Sequence, residues 1–281
     1  MIAFLNGEYL PEAEARVSVL DRGYLYGDGL FETIPVSNGR PFRWAQHLER
    51  LRKGADWLGI PLPFSPKEVR GVIRELVRRN ELPHSTVRVA LSRGVGPRGY
   101  SPAGAGAPSF SVTHHSAAEI DPDNPPRWNL CTASVRVPAG DRLVQFKTAS
   151  RLMNIVARAE AEAAGAQEAL IVNTNGEITE ASGGNLFWVW RGTIHTSPTS
   201  VGALPGITRA VILELCATLG IPNHKKIIRP DMLCNAEGVF LTQSTEGVIA
   251  VEALDETRFE VPPLIQTLSK AYWELVKKES A

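Results

Sequence analysis

Residues 175–190 read Asn-Gly-Glu-Ile-Thr-Glu-Ala-Ser-Gly-Gly-Asn-Leu-Phe-Trp-Val-Trp. Asn175-Gly176 is typical of a tight hairpin turn, and the apolar run over 186–190 predicts a further strand. Alternation along a strand places Ile178 and Glu180 on one face, so an inward Ile178 carries the carboxylate inward as well. A buried carboxylate requires a cationic partner, whereas a solvated acid at a turn requires none. Both interpretations of Glu180 stay open at this point.

The segments around this stretch predict two domains. Short strand-like runs with Asn-Gly turns precede amphipathic helices over 44–58 and 66–79, and two more strands follow. Residues 116–127 combine acidic residues with three prolines and no apolar period, which is typical of a linker. We therefore expect a small N-terminal domain over 1–115, a linker over 116–127 and a larger C-terminal domain over 128–281. The mixture of elements favours an α+β fold over strict βαβ alternation.

Composition restricts the partners and the compartment. The 281 residues carry 30 basic and 30 acidic side chains, so no global charge attracts nucleic acid or an anionic membrane. No apolar run approaches the roughly 18 residues that cross a bilayer, and the N-terminus lacks the features of a secretion signal. Three widely spaced cysteines without a C-x-x-C motif favour the reducing cytoplasm. His114 and His115 are neighbours on a strand and point to opposite faces, so we expect no metal site.

The loop after the strand over 86–92 contains Gly94-x-Gly96-x-x-Gly99, the spacing of a dinucleotide-binding motif. Such a site needs a helix to begin there, and Pro97 and Pro102 exclude one. What remains is a rigid loop that presents arginines. These arginines either bind a ligand or are simply solvated on a turn.

Lys147 stands in an unusual setting because it follows the largely apolar segment Leu143-Val144-Gln145-Phe146. Loss of solvation lowers the pKa of an amine and makes it a better nucleophile toward a carbonyl, although a lysine can also extend from a strand end into solvent. Three other places suit an anion. Gly206-Ile207-Thr208 begins a helix, Ser244-Thr245 offers hydroxyls, and Arg50 lies beside an apolar helix stripe. Each of these alone is more often a plain cap or a surface residue.

Together, these segments resemble the fold-type IV pyridoxal-phosphate enzymes, the class IV aminotransferase family. This family holds branched-chain aminotransferases, D-amino-acid aminotransferases and 4-amino-4-deoxychorismate lyases. The matching motifs run over nearly the whole chain: Asp21-Arg-Gly, Tyr26–Glu32, His47–Leu51, Lys147, Glu180–Phe187, Thr196–Pro198, Gly206–Arg209 and Ser244-Thr245. The resemblance implies the D-amino-acid aminotransferase-like architecture of two α/β domains with the cofactor between them. It also implies a homodimer whose partner completes the site.

The family's roles map onto this sequence by position. Lys147 would hold pyridoxal 5'-phosphate as a Schiff base (aldimine) and move protons, and Glu180 would pair with the pyridinium nitrogen. The implied phosphate contacts are Arg50, Ile207, Thr208, Ser244 and Thr245. The expected contacts to a small amino substrate with a carboxylate are Phe31, Arg98 and Tyr100, with Arg93 as a weaker candidate.

The member of the family is a separate question. The loop over 92–101 and the spacing Lys147-x-x-x-Arg151-Leu152 resemble the lyase, which forms 4-aminobenzoate and pyruvate in folate biosynthesis. Branched-chain aminotransferases place a tyrosine where Leu152 stands, and D-amino-acid aminotransferases usually place a histidine where Tyr100 stands. Against the lyase, its bacterial members often carry Asn-Ala where this chain has Ser244-Thr245.

We favour the lyase over an aminotransferase that uses D- or branched-chain-type amino acids and a 2-oxo acid. A third hypothesis is a scaffold that binds a phosphate ligand without turnover. The presence of both Lys147 and Glu180 argues against the scaffold, because phosphate binding needs neither residue.

Overall fold

A computed structural model describes residues 1–280, which form six α-helices and fifteen β-strands in two compact units. Unit 1 comprises Met1–Ala118, Phe146–Arg151 and the residues from Val276 onward, and unit 2 comprises Glu119–Gln145 and Leu152–Leu275. The predicted α+β class is confirmed. None of the helices formed by residues 1–280 is both long and apolar enough to cross a bilayer.

Unit 1 is built on a six-stranded antiparallel sheet with the order β2-β1-β6-β5-β3-β4. Its strands are β1 (Ile2–Leu5), β2 (Glu8–Pro11), β3 (Gly29–Ser37), β4 (Arg40–Pro41), β5 (Ser85–Ser92) and β6 (Ser109–Ser116). Its helices are α1 (Arg22–Tyr26), α2 (Trp44–Leu58) and α3 (Pro66–Asn80). Asn38 and Gly39 both have positive φ, 48° and 71°, and form the predicted hairpin turn between β3 and β4.

The two faces of this sheet differ in chemistry because side chains alternate along each strand. One face carries the apolar residues of β3, β5 and β6 and packs under α2 and α3 to form the core of unit 1. The opposite face carries Phe31 and Thr33 from β3 with Arg88 and Ala90 from β5, and we call it the Phe31 face. Thr33 pairs with Arg88 and Phe31 pairs with Ala90 in the antiparallel register.

The segment Phe146–Arg151 belongs to unit 1, although the sequence-based division placed it in the C-terminal domain. It hydrogen-bonds along β3, since the Phe31 N–H donates to the Lys147 carbonyl at 2.9 Å and the Ala149 N–H donates to the Gly29 carbonyl at 2.8 Å. The Phe146 ring stacks on Trp57 of α2 with centroids 4.9 Å apart. These contacts are distant in sequence, so composition along the chain does not reveal them.

Unit 2 is built on a mixed nine-stranded sheet with the order β12-β11-β10-β13-β14-β7-β8-β9, and β15 pairs with β14. The strands are β7 (Arg127–Val137), β8 (Glu168–Asn173), β9 (Ile178–Ala181), β10 (Asn185–Trp190), β11 (Thr193–Thr196), β12 (Asn223–Lys225), β13 (Gly238–Gln243), β14 (Gly247–Leu254) and β15 (Thr257–Arg258). The remaining helices are α4 (Leu152–Ala163), α5 (Ile207–Thr218) and α6 (Pro263–Glu279), of which the part from Val276 belongs to unit 1. Strand β7 pairs in parallel with β8 and β14, whereas β10, β13 and β14 pair antiparallel. This mixture is the physical basis of the α+β class.

Candidate active site

Lys147 lies at the edge of β3, and its Nζ is 4.6 Å from the centre of the Phe31 ring. Arg151, four residues later, donates from Nε to the Thr148 carbonyl at 3.0 Å and from Nη2 to the Phe146 carbonyl at 3.2 Å. The guanidinium therefore bridges the carbonyls on both sides of Lys147. The spacing Lys-x-x-x-Arg thus has a local structural role, which is to fix the backbone that carries the lysine.

Arg50 turns inward from α2, as its position beside the apolar stripe predicted, and it meets a carboxylate there. Its Nε and Nη2 donate to the two oxygens of Glu32 at 2.8 and 2.6 Å, and His47 lies 2.7 Å from the same carboxylate through Nδ1. Glu32 is buried. Burial opposes the charged form, but the charge and hydrogen bonds of Arg50, with the bond from His47, outweigh it and lower the pKa of Glu32 to about 2.

The ionised Glu32 determines the state of His47. Desolvation by burial lowers the pKa of His47, although its bond to Glu32 opposes this. A neutral His47 must donate its Nδ1 hydrogen, because ionised Glu32 can only accept. Sequence analysis did not assign a role to Glu32, the last residue of the Tyr26–Glu32 motif. One signal could have revealed this pair. Glu32 is a carboxylate within a family motif, and Arg50, 18 residues later, lies beside the apolar stripe of α2.

The arginine-bearing loop is held by buried charges. Arg22, a buried residue, donates to the carbonyls of Gly99 at 2.9 Å and Tyr100 at 3.3 Å. Asp28 pairs with both Arg22 and Arg93, each at 2.8 Å from Nε. Burial raises the pKa of the Asp28 carboxyl, but the hydrogen bonds and charges of Arg93 and Arg22 outweigh it and lower the pKa.

Arg93 does not fit the role of a substrate contact. Besides Asp28, its guanidinium donates to the carbonyls of Leu58 at 2.8 Å and Gly59 at 3.2 Å. Its hydrogen-bonding capacity is therefore used to join the start of the loop to the end of α2. These contacts do not favour Arg93 as a carboxylate-binding residue, and its weaker candidacy stays a prediction.

Arg98 and Tyr100 lie on the exposed part of the same loop. The Tyr100 side chain is 89% exposed, and its ring meets Tyr26 edge-on with centroids 5.8 Å apart. The predicted helix-free loop is observed between β5 and β6. The substrate roles of Arg98 and Tyr100 stay predictions.

Glu180 lies within β9 and is half-buried, so it is not a solvated acid on a turn. Its Oε2 accepts hydrogen bonds from the Asn185 side-chain amide at 2.8 Å and from the Leu204 N–H at 2.9 Å. Asn185 also donates to the Leu204 carbonyl at 2.9 Å. The carboxylate is therefore held in a fixed orientation by β10 and by the segment that leads to α5. Sequence analysis did not assign this positioning role to Asn185.

Helix α5 begins at Ile207, with Gly206 as its N-cap and no side chain that accepts from the first turn. A Cβ on Gly206 would lie 2.0 Å from the Oδ1 of Asn185, so only glycine fits against that amide. Thr208, in the first turn, is buried. The predicted helix start is observed, and a helix start without a side-chain acceptor suits an anion. The phosphate roles of Ile207 and Thr208 stay predictions.

Ser244 and Thr245 form the turn between β13 and β14. The Thr245 hydroxyl and the Gln243 amide both donate to the Glu246 carboxylate. A phosphate role for Thr245 therefore requires its hydroxyl to turn away from Glu246. The neighbouring Thr242 has a buried hydroxyl oxygen without a hydrogen-bond partner, and sequence analysis did not single it out.

The histidine pair behaves as the strand period predicted. His114 is buried, with its Nε2 2.6 Å from the Ser85 hydroxyl, whereas His115 is exposed. The opposite-face prediction is confirmed. Among residues 1–280, no three His, Cys, Asp or Glu side chains are grouped so that they could hold a metal ion.

Comparison with known proteins decides the family. Residues 29–254, most of the chain, match the model of the amino-transferase class IV family. The chain belongs to the class IV aminotransferases. The family resemblance drawn from the motifs is confirmed.

Three class IV relatives illustrate the range of activities in the family. Bacillus licheniformis D-alanine aminotransferase is 32% identical over 258 residues, which cover 91% of this chain and 89% of that protein. A branched-chain aminotransferase from T.th., solved with pyridoxamine 5'-phosphate, has a TM-score of 0.91 at 29% identity, and the match covers 99% of this chain and 94% of that one. A Legionella pneumophila protein named as a candidate 4-amino-4-deoxychorismate lyase has a TM-score of 0.86 at 29% identity, with coverage of 96% and 97%.

Each unit of this class IV chain groups some of the residues expected from the motifs. Unit 1 brings Lys147 to Phe31, and the Phe31 ring also contacts Arg88, which the sequence analysis did not name. In unit 2, Asn185 connects Glu180 to the start of α5. A lysine amine, a fixed carboxylate and a helix start without a side-chain acceptor are the groups that an aldehyde, a ring nitrogen and a phosphate require.

Proposed function

We propose that this class IV enzyme uses pyridoxal 5'-phosphate and acts as a 4-amino-4-deoxychorismate lyase, releasing 4-aminobenzoate and pyruvate. The observation that carries the choice of the lyase is Arg151, which belongs to the lyase-like spacing and braces the backbone around Lys147 through two carbonyls. The lyase-like loop over 92–101 adds support, because Arg22 and Asp28 hold it in one conformation.

The donor set fits the cofactor. Lys147 would bind its aldehyde, Glu180 would accept from its protonated ring nitrogen, and Ile207, Thr208 and Arg50 would hold its phosphate. Ser244 and Thr245 complete the proposed phosphate contacts. When bound, pyridoxal phosphate supplies an electron sink for a carbon that loses a proton.

The protein's own residues then perform the acid–base steps. The Lys147 Nζ removes the proton from the ring carbon that bears the substrate nitrogen. The bond from the adjacent carbon to the enolpyruvyl oxygen breaks, enolpyruvate leaves with the electron pair and takes up a proton at its methylene carbon to become pyruvate, and the ring becomes aromatic. Glu180, oriented by Asn185 and the Leu204 N–H, keeps a proton on the cofactor nitrogen. No second substrate is needed for this reaction.

An aminotransferase is the second candidate, and the similarity to D-alanine aminotransferase over most of the chain favours it. In that reaction Lys147 would return the proton to a different carbon, and the amino group would pass to a 2-oxo acid. The two reactions are distinguished by their requirements. The lyase forms pyruvate without an added oxo acid, whereas the aminotransferase stops when the oxo acid is withheld.

We also propose that the chain forms a homodimer through unit 1. Four large side chains within residues 17–24 are exposed: Val17 at 53%, Val19 at 70%, Leu20 at 54% and Tyr24 at 71%. Soluble monomers rarely expose such apolar surface in one region without a partner. Analytical ultracentrifugation should give the mass of two chains, and Tyr24→Asp should shift the protein toward the monomer.

The experiment that tests the enzyme proposal combines trapping with product analysis. After borohydride reduction of protein mixed with pyridoxal phosphate, peptide mapping should place the covalent adduct on Lys147. Lys147→Ala should lose the adduct and turnover. Lys226→Ala is the matched control, because Lys226 also lies over an aromatic ring, with its Nζ 4.1 Å from the centre of Trp190.

Pyruvate release from aminodeoxychorismate, with no oxo acid present, then tests the lyase. Absence of pyruvate together with glutamate formation from an amino acid and 2-oxoglutarate would promote the aminotransferase. Protein that forms no adduct on any lysine would support the scaffold hypothesis.

A further inference from the structure

Arg88 projects from the middle of β5 on the Phe31 face, in a strand whose side chains otherwise alternate in the ordinary way. Its neighbours Val87 and Val89 point into the core of unit 1, so alternation turns Arg88 the other way. The guanidinium carbon lies 3.8 Å from the centre of the Phe31 ring. This close stacking fixes the planar group in one position while its side chain keeps access to solvent.

The guanidinium of Arg88 has no anionic partner. Within residues 1–280, no carboxylate lies at ion-pair distance from it and no acceptor receives a hydrogen bond from it. Nearby arginines differ: Arg50 is bound to Glu32, and Arg93 is bound to Asp28. Desolvation by the surrounding protein lowers the pKa of Arg88, although the residue remains exposed, so water also solvates its charge. Its planar fork of N–H donors stays available to an anion.

Lys147 contacts the same ring from a segment that pairs with the opposite edge of β3. Arg88 belongs to β5, which pairs with β3 along one edge, whereas the segment of Lys147 hydrogen-bonds to β3 near Phe31 and Gly29. Three cationic groups lie around the Phe31 ring: Arg88 at 3.8 Å, Lys147 at 4.6 Å and Arg151 at 5.7 Å from its centre. Like charges around one ring repel each other, and an anion bound beside them reduces that cost. The amine that Lys147 handles is therefore next to a guanidinium that can bind a carboxylate.

We infer that Arg88 binds a carboxylate of the substrate and that Phe31 holds the guanidinium in the orientation needed to bind this carboxylate. The inference rests on the proposed chemistry at Lys147, and it makes the substrate a carboxylated amine and not a simple amine. A guanidinium recognises a carboxylate through two parallel hydrogen bonds, which adds geometric selection to the charge. Arg88, in a regular strand, is positioned more firmly than Arg98 on its exposed loop.

The test measures binding directly, independent of turnover. Isothermal titration compares 4-aminobenzoate with aniline, which lacks only the carboxylate, on the pyridoxal-phosphate form of the parent and of Arg88→Gln. The variant should lose roughly tenfold to a hundredfold in affinity for 4-aminobenzoate, as expected for a lost charge-assisted hydrogen bond. Its affinity for aniline should stay within about twofold of the parent. The affinity of Arg88→Lys for 4-aminobenzoate should lie between those of the parent and Arg88→Gln, because lysine keeps the charge but lacks the planar fork of N–H donors.

Arg79→Gln is the matched control. Arg79 lies on α3 with its guanidinium carbon 4.4 Å from the centre of the Tyr9 ring, so the variant removes the same kind of contact elsewhere in unit 1. It should bind both ligands as the parent does. Circular dichroism checks that each variant is folded, and Arg88→Lys replaces Arg88→Gln in the comparison if the latter is not.

The outcomes separate this inference from the proposed function. Equal affinity of the parent and Arg88→Gln for 4-aminobenzoate would overturn the role of Arg88, and so would a selective loss of pyridoxal phosphate. If the parent fails to bind 4-aminobenzoate, the same variants are compared on D-alanine against ethylamine, by the absorbance change of the cofactor. If the parent forms no pyruvate but its preference for the carboxylated ligand depends on Arg88, the inference is supported and the lyase is rejected. Parent protein with no preference for a carboxylate in either pair would overturn the inference.

Discussion

Replacing Glu32 by glutamine should destabilise the protein in a way that depends on pH. Glu32 is 1% exposed, and its two oxygens receive Arg50 and His47 at 2.6 to 2.8 Å. Glutamine has nearly the same shape but no charge, so Glu32→Gln leaves the guanidinium of Arg50 without this counter-charge. Breaking a buried ion pair from one side is among the most costly single substitutions.

The size of the effect follows from the pKa of Glu32, which falls from an ordinary value of 4.5 to about 2 in the folded protein. This difference corresponds to about 3 kcal/mol of stability near neutral pH. Because the folded pKa lies below the unfolded one, the contribution is complete above pH 4.5 and is lost as the pH falls toward about 2. Near pH 3 less than half of this contribution remains.

Urea unfolding followed by circular dichroism, at about pH 7 and about pH 3, measures this contribution as the stability difference between parent and Glu32→Gln. Burial lowers the pKa of His47 and Glu32 opposes this, so the comparison is repeated in a His47→Gln background, where His47 contributes nothing to the pH dependence. The matched control is Glu75→Gln. The pKa of Glu75 is also lowered to about 2, through hydrogen bonds from Arg78 and Arg79, but this carboxylate lies on the surface of α3 and its loss should change stability little. A Glu32→Gln difference that is equal at both pH values, or no larger than that of Glu75→Gln, would refute the reasoning.

Three further substitutions test the proposed cofactor contacts. Gly206→Ala places a Cβ 2.0 Å from the Asn185 amide oxygen, so it should displace Asn185 from Glu180 and weaken pyridoxal-phosphate binding roughly tenfold in a fluorescence titration, with the fold intact by circular dichroism. Arg50→Ala should weaken cofactor binding about tenfold to a hundredfold while the borohydride adduct still forms; unchanged affinity would limit Arg50 to its pairing role inside unit 1. Glu180→Gln should retain the cofactor but slow turnover about tenfold or more, because a neutral amide cannot keep the ring nitrogen protonated; unchanged turnover would reduce Glu180 to a structural residue.

Local signals predicted the elements well where they were strong. Helix α2 occupies Trp44–Leu58, the predicted range, because its apolar stripe is long and Gly59 adopts the left-handed conformation that ends a helix, with φ of 64°. The first turn of α5 follows Gly206 for a similar local reason. Two short elements, α1 with five residues and β15 with two, were not predicted, because they contain too few residues to display a period.

Contacts between distant parts of the chain could not be predicted from local signals. The segment from Phe146 to Arg151 joins unit 1 through backbone hydrogen bonds to β3, more than a hundred residues earlier. Arg93 and Asp28 are 65 residues apart, and nothing in the composition of the loop around Arg93 indicates that its guanidinium is already engaged. In both places the β-sheet register, and not propensity, decides which side chains meet.

The arginines of unit 1 show why pairing is more informative than residue type at a candidate site. In the sequence, Arg88, Arg93 and Arg98 are equivalent cations within one strand and its following loop. In the fold, Arg93 is engaged by Asp28, while Arg88 stacks on Phe31 beside Lys147 without a counter-charge. A guanidinium that has no acidic partner and lies beside the proposed nucleophile can bind a ligand anion through its N–H donors. The surroundings of Arg88 within residues 1–280 therefore support its proposed role more directly than its residue type does.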